Sequence, residues 1–154
     1  MTENGFYIIK DTYFKDFPDP YLKGNKDERR PHYYALKDSF TGLYWMIPMS
    51  SKVEKYKRII SNREYLGKSC DILHVAKLDN GKESAFLIQD IFPVTDKYIE
   101  RKYTIGGNHF RVTSEHLAKV IAKKAYRTIT LIRHGVKFTS TQPNVLKIEK
   151  ELLK

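Results

Sequence analysis

Two adjacent hydroxyls, Ser50 and Ser51, run directly into Lys52, and Lys55, Lys57 and Arg58 follow within the stretch "PMSSKVEKYKR". Hydroxyl donors and fixed cations set close together suit a phosphate above other ligands. Ser51 and Glu54 also fit the S-x-x-E capping box that opens a helix. The two readings are compatible, because a capped helix start already gathers free N–H groups at the positive end of the helix dipole. Such a site could sever RNA without a metal. The 2′-hydroxyl of the RNA attacks the neighbouring phosphorus and leaves a 2′,3′-cyclic phosphate and a 5′-hydroxyl. The protein must align that attack, stabilise charge on the phosphoryl oxygens and move two protons. Each fixed donor contributes about 2.7–4 kcal/mol in comparable oxyanion sites. A positioned acid or base adds roughly 10²–10⁴-fold. The plain alternative is a solvated basic helix face, the fate of most lysines.

Several residues elsewhere could serve the same chemistry. Tyr13 could orient RNA or simply pack against a sheet. His32, with an ordinary pKa near 6.5, could exchange protons at neutral pH. His109, beside a Gly-Gly-Asn turn, is a candidate of the same kind. Arg29, Arg30, Lys57 and Arg58 would track a phosphate backbone, with plain solubility as the alternative. Tyr33 belongs to a set of tyrosines near lysine or arginine in the chain. Rings of that kind stack on bases while the cations meet phosphates.

The bulk composition points the same way. The chain has 154 residues and a formal net charge of +10. A length of this order fits one domain, here spanning residues 1–154. The excess of positive charge favours a polyanionic partner, nucleic acid first and an anionic membrane second. A single cysteine, Cys70, rules out an internal disulfide framework and suits a reducing cytoplasm. The N-terminus lacks the pattern of a signal peptide, and no apolar run approaches the length that spans a bilayer.

The elements that must position these residues follow from the pattern. "GFYIIK", 5–10, predicts a central strand buried on both faces. Residues 15–31, rich in proline and charge, predict a long loop. "HYYALKD" and "GLYWMIPM" predict a hairpin turning at "SFTG", with Pro48 ending the second strand or placing it at an edge. "SSKVEKYKRIISNREYLG" predicts a helix closed by Gly67. "CDILHVAKL" and "ESAFLIQDI" flank "DNGK", a strong hairpin signal. "KYIERKYTI" and "HFRVT" around "GGN" predict a further hairpin. Residues 114–134 predict a helix stopped at His134-Gly135, with an apolar face through Leu117, Val120, Ile121, Lys124, Ala125, Thr128, Leu131 and Ile132. "STQPNVLKIEKELLK" predicts a last short helix with Pro143 in its first turn. The expected class is α+β, an antiparallel sheet with helices inserted between strands and after them.

Other chemistries find no support. There is no HExxH, EF-hand loop or GxGxxG. "GKS" at 67–69 would need a glycine at Asn62 to end a phosphate-binding loop. A nucleophile elbow is absent, and the five histidines show no metal-ligand spacing. The expectation is therefore no metal and no cofactor.

Three pieces of the chain carry a resemblance. These are "FYIIKDTYFKDF", "RRPHYYALKD" and "YWMIPMSSKVEKYK". In order and spacing they resemble the endoribonuclease toxins of type III toxin–antitoxin systems, the ToxN/AbiQ/CptN/TenpN group, and they are most similar to its CptN branch. The match covers roughly the first sixty residues, and element order extends it. It implies a Kid/MazF-like, SH3-like barrel of twisted antiparallel sheet with inserted and C-terminal helices. It further implies a metal-independent endoribonuclease active against cellular or phage RNA, held inactive by an antitoxin RNA of short pseudoknotted repeats that the toxin itself processes. Closed RNA-mediated hetero-oligomers in the cytoplasm and a role in abortive infection belong to the same implication. Position by position, the family's hydroxyl pair matches Ser50 and Ser51. Its lysine matches Lys52, with Lys55 one turn on as the alternative. Its early tyrosine matches Tyr13, and a basic residue after the strand-opening proline matches His32. Two rival readings are a non-catalytic basic-aromatic RNA-binding module and a DNA-binding regulator, the latter lacking a clear helix-turn-helix.

Overall fold

A computed structural model describes all residues, Met1–Lys154. Strand β1 (Phe6–Ile9) is buried along its whole length, as its unbroken apolar run requires. It pairs on one side with β2 (His32–Lys37) and on the other with β7 (Ile99–Lys102), both antiparallel. Between β1 and β2 the chain forms a short helix, α1 (Asp11–Asp16), and then the long loop. The sequence pattern did not show α1, whose buried member is Tyr13.

The β2–β3 hairpin forms as expected, with β3 spanning Tyr44–Ser50. Its second strand is not an edge. On the side away from β2, β3 pairs with β6 (Phe92–Val94) through Tyr44–Met46, then with β5 (Glu83–Phe86) through Met49 and Ser50. Pro48 falls in the gap between these two partners. Its carbonyl accepts from the Leu87 N–H at 2.9 Å. The N–H that proline lacks would point to the same side, so its loss breaks no ladder bond.

Strand β4 (His74–Lys77) closes the sheet order β4-β5-β3-β2-β1-β7. The strands around "DNGK" are shorter than the apolar runs suggested, because Cys70–Leu73 and Leu87–Ile91 turn inward instead of extending. Short β6 carries Pro93, and its three residues gave no strand signal. The Gly-Gly turn joins a two-stranded ribbon, β8 (Thr104–Ile105) and β9 (Asn108–His109). Gly106 and Gly107 both adopt positive φ, 60° and 81°, as a two-residue turn of this kind demands.

Helix α2 (Val53–Tyr65) follows β3, α3 (Glu115–Arg133) follows the ribbon and α4 (Val145–Leu152) ends the chain. Ser114 caps α3 by accepting from the Leu117 N–H at 3.2 Å. At the far end Gly135, at φ 89°, lets the Val136 N–H return to the Leu131 carbonyl at 3.0 Å. The buried face of α3 is Ala118, Ile121, Ala125, Thr128, Ile129 and Ile132. It is rotated from the expected stripe, leaving Leu131 exposed. Pro143 lies just before α4, where Asn144 caps the helix. No helix is long and apolar enough to cross a membrane. The main core gathers residues of the sheet, α1, α3 and α4 around Trp45, Tyr13 and Phe92. A second, smaller cluster of Tyr56, Cys70, Ile72, Leu73, Ala85 and Leu87 lies under α2.

Candidate phosphate-binding site

The hydroxyl pair sits at a sheet-to-helix corner rather than on a capped helix. Strand β3 still pairs at Ser50, opposite Ala85, and α2 begins only at Val53. The helix N-cap is Lys52, and no side chain caps it. The capping box at Ser51 and Glu54 is therefore not formed. Ser50 takes up the turn instead: its Oγ accepts from the Lys52 N–H at 3.1 Å, while the Val53 N–H reaches the Ser51 carbonyl at 2.8 Å. That geometry uses the Ser50 hydroxyl and leaves Ser51 and Lys52 exposed at the corner.

Opposite the corner stands the long loop. Asn25 anchors it from inside, 4% exposed, with its Nδ2 donating to the Ile9 carbonyl at 2.7 Å and to Asp11 at 2.8 Å. Its own carbonyl accepts from the Arg29 and Arg30 N–H groups at 2.9 and 2.7 Å. Between them Lys26, Asp27 and Glu28 all adopt positive φ, at 49°, 57° and 64°. Three non-glycine residues in this region cost roughly 1–3 kcal/mol each, and such strain persists only where the surroundings hold it. Arg101 contributes to that hold by donating to the Glu28 carbonyl at 3.1 Å.

Loop and corner together enclose a cleft of about 300 Å³ lined by Lys26, Arg29, Arg30, Pro31, Met49, Ser50, Ser51, Lys52 and Ser84. Four cations and three hydroxyls meet there, and no carboxylate is among the lining residues. Lys26, Arg30 and Lys52 take part in no ion pair; Arg29 has only a loose contact with Asp27 at 3.8 Å, both side chains largely in solvent. Ser84 donates to the Ser50 carbonyl at 3.3 Å and so ties β5 to the corner. A concentration of unpaired positive charge with hydroxyl donors is what an anion would require.

Of the residues singled out by sequence, the cleft unites Ser50, Ser51, Lys52, Arg29 and Arg30. It does not include the others. Tyr13 is fully buried and its hydroxyl donates to the Pro93 carbonyl at 2.8 Å. His32 is wholly inside, against Phe14 and Phe92. Burial lowers its pKa to about 3, the nearby Arg30 charge acts in the same direction, and the Arg30 backbone opposes. Both ring nitrogens are without a hydrogen-bond partner. Side chains alternate along β2, and Tyr33 turns the other way, into the core beside Phe6 and Phe86. His109 is pinned under Gly5, its Nε2 3.0 Å from the Phe6 carbonyl; a Cβ on Gly5 would fall 2.4 Å from the imidazole. Lys55 lies over the Tyr56 ring, 5.2 Å from its centroid. Lys57 is engaged by Glu83 at 3.0 Å, and Arg58 is exposed elsewhere on α2.

Lys26 and Ser84 are the polar lining residues that sequence reasoning missed. Lys26 was legible only as one charge in a charged loop. Ser84 reaches the site through the β3–β5 pairing, which no local pattern announces.

Solved structures share this architecture, two of them along nearly the whole chain. One is AbiQ, a lactococcal anti-phage endoribonuclease belonging to the type-III toxin–antitoxin system; it aligns with a TM-score of 0.71 at 11% identity, over 98% of this chain and 96% of that one. The other is a chain from a bacterial antiviral system regulated by a processed non-coding RNA, with a TM-score of 0.65 at 13% identity, over 97% of this chain and 99% of that one. No protein-family profile matches the sequence, and no curated protein does. At such identities the likeness establishes the fold: an α+β domain with a twisted antiparallel sheet, helices added between strands and at the C-terminus.

Proposed function

We propose that this chain is an endoribonuclease toxin of a type III toxin–antitoxin system, a single domain over residues 1–154 acting in the cytoplasm, with the CptN branch as its nearest kin. The observation that carries this reading is the cleft where Ser51 and Lys52 face the unpaired cations of the loop. It is supported by the fold shared end to end with an anti-phage endoribonuclease.

In this reading Lys26, Arg29 and Arg30 hold the RNA backbone, and Ser51 and Lys52 donate to the phosphoryl oxygens as charge builds on them. The 2′-hydroxyl attacks phosphorus and the 5′-oxygen leaves. With Tyr13 and His32 in the core, both protons pass through the cleft's hydroxyls, its ammonium groups or water. The lining offers a divalent cation neither carboxylate nor imidazole, which supports metal-independent cleavage. The partner is an antitoxin RNA, in keeping with the processed non-coding RNA of the second structural neighbour; its short pseudoknotted repeats are what the family resemblance implies. Toxin and antitoxin RNA would assemble as a hetero-oligomer, and cellular or phage RNA would be the target in abortive infection.

The test is direct. Purified protein incubated with RNA in EDTA should yield 2′,3′-cyclic phosphate ends, and Ser51→Ala and Lys52→Ala should abolish most of the activity. RNA that stays intact under all conditions would sink the enzyme reading. One observation favours the rival, a non-catalytic RNA-binding module: both sequence-nominated proton carriers, Tyr13 and His32, are sealed in the core. That rival predicts tight RNA binding with no new ends.

A further inference from the structure

Away from the basic cleft, a second cavity of about 370 Å³ opens between α2, the start of β4 and α3. A volume of this order lies within the range of small-molecule clefts, which starts at about 300 Å³. Lys124 of α3 enters it half-buried. Its Nζ lies 3.0 Å from His74 Nδ1 and 3.4 Å from the Leu73 carbonyl. Lys124 forms no ion pair. The charges around it are engaged elsewhere or sit further off. From α2, Lys57 is bound to Glu83 and Glu64 lines the wall. From the chain before β4, Asp71 pairs with Arg127 at 3.6 Å, and Cys70 is buried.

We infer that Lys124 is this protein's preferred site of acylation by small acyl phosphates, with His74 as the acceptor of the amine's proton. An amine is a nucleophile only with its lone pair free, and partial removal from water favours the uncharged form. Burial lowers the pKa of Lys124, and burial with the Lys124 charge lowers His74 to about 4. His74 is therefore neutral at pH 7, and in the tautomer protonated at Nε2 its Nδ1, facing the amine, is free to accept. In the step itself Nζ attacks the acyl carbon, the carbon–oxygen bond to phosphate breaks and inorganic phosphate leaves. The surplus amine proton passes to Nδ1 and on to solvent. The product loses one positive charge on α3 and the ammonium contacts to His74 and to the Leu73 carbonyl.

The native protein is incubated with acetyl phosphate near pH 8, and acetylation of each lysine is followed in time by peptide mass spectrometry. Exposed Lys119 and Lys123 on the same helix are internal references. Lys124 should react at least about fivefold faster than either. The preference should vanish in guanidinium chloride, where the cavity is gone, and His74→Phe should bring Lys124 down to its neighbours' rate. Equal or slower reaction at Lys124 in the native protein, a preference that survives denaturation, or acetyl found on Cys70 instead would each overturn the assignment.

Discussion

Arginine and lysine are used in opposite ways at two places on this sheet. On α3, Arg133 lies between Asp38 and Glu149, 2.6 Å from each, with its guanidinium 5.7 Å from the centre of the Trp45 ring. Both carboxylates are mostly buried, so the charges are matched and locked. Burial alone would raise the Asp38 pKa, but the bond from Arg133 and the N–H groups of Phe40 and Thr41 bring it below the ordinary value. At the cleft, Lys26, Arg30 and Lys52 have no carboxylate beside them. The first arrangement closes the fold; the second stays electrostatically incomplete. Unmatched charge destabilises the protein that carries it, so its concentration at a strained, well-anchored loop argues for a ligand that completes it.

The sharpest way to break this contrast is at the corner. Ser51→Ala and Lys52→Ala should each lower RNA cleavage by roughly 10²–10³. The thermal midpoint should hardly move, because neither side chain is buried. Arg133→Ala should do the reverse. It strands two carboxylates, and with its side chain 37% exposed the loss should be about 1–3 kcal/mol in a denaturant melt, with cleavage by the folded fraction unchanged.

His32 adds a third case, a cation suppressed by burial. Its folded pKa, about 3, lies below the ordinary 6.5, so between these values the unfolded chain binds more protons. Stability from His32 is present above pH 6.5 and falls as the pH drops toward 3, by up to about 1.4 kcal/mol per pH unit. His74, lowered to about 4, acts in the same direction, while Asp90, raised by burial to about 6, opposes it between 6 and its ordinary value. The His32→Phe protein should therefore lose less stability than wild type between pH 6.5 and 4, measured by melts across that range. Smaller effects belong to the loop and the helix. Arg30→Ala should weaken binding of any RNA and reduce the slope of log affinity against log salt by about 1. Lys55→Ala and Lys57→Ala, outside the cleft, should leave cleavage within about twofold of wild type; a large loss from Lys55→Ala would move the key lysine one turn along α2.

Much of this arrangement was legible in the chain. The hydroxyl pair, Lys52 and the two arginines were named from residue types and spacing, and the structure brings them to one cleft. Strand β1, the β2–β3 and β4–β5 hairpins and the long helices followed from periodicity and turn residues. What failed did so for physical reasons. Tyr13 and His32 carry polar atoms that suggest chemistry, but their neighbours are aromatic, and a packed ring gains more from burial than from reaching water. The supposed cap at Ser51 was displaced by strand pairing that runs on to Ser50, a tertiary demand that local propensity does not register. Lys26 and Ser84 come to the cleft through the loop anchor and through pairing between distant strands.

Pro48 has a mechanical consequence. Because it has nothing to donate, β5 and β6 cannot be zipped into one continuous flank along β3. The busiest strand of the sheet therefore keeps a missing tooth, and the two flanks are free to take different twists. The serine corner lies on the β5 side of that notch, so its place follows β5, through the Ser50–Ala85 pairing and the Ser84 hydrogen bond, and not β6.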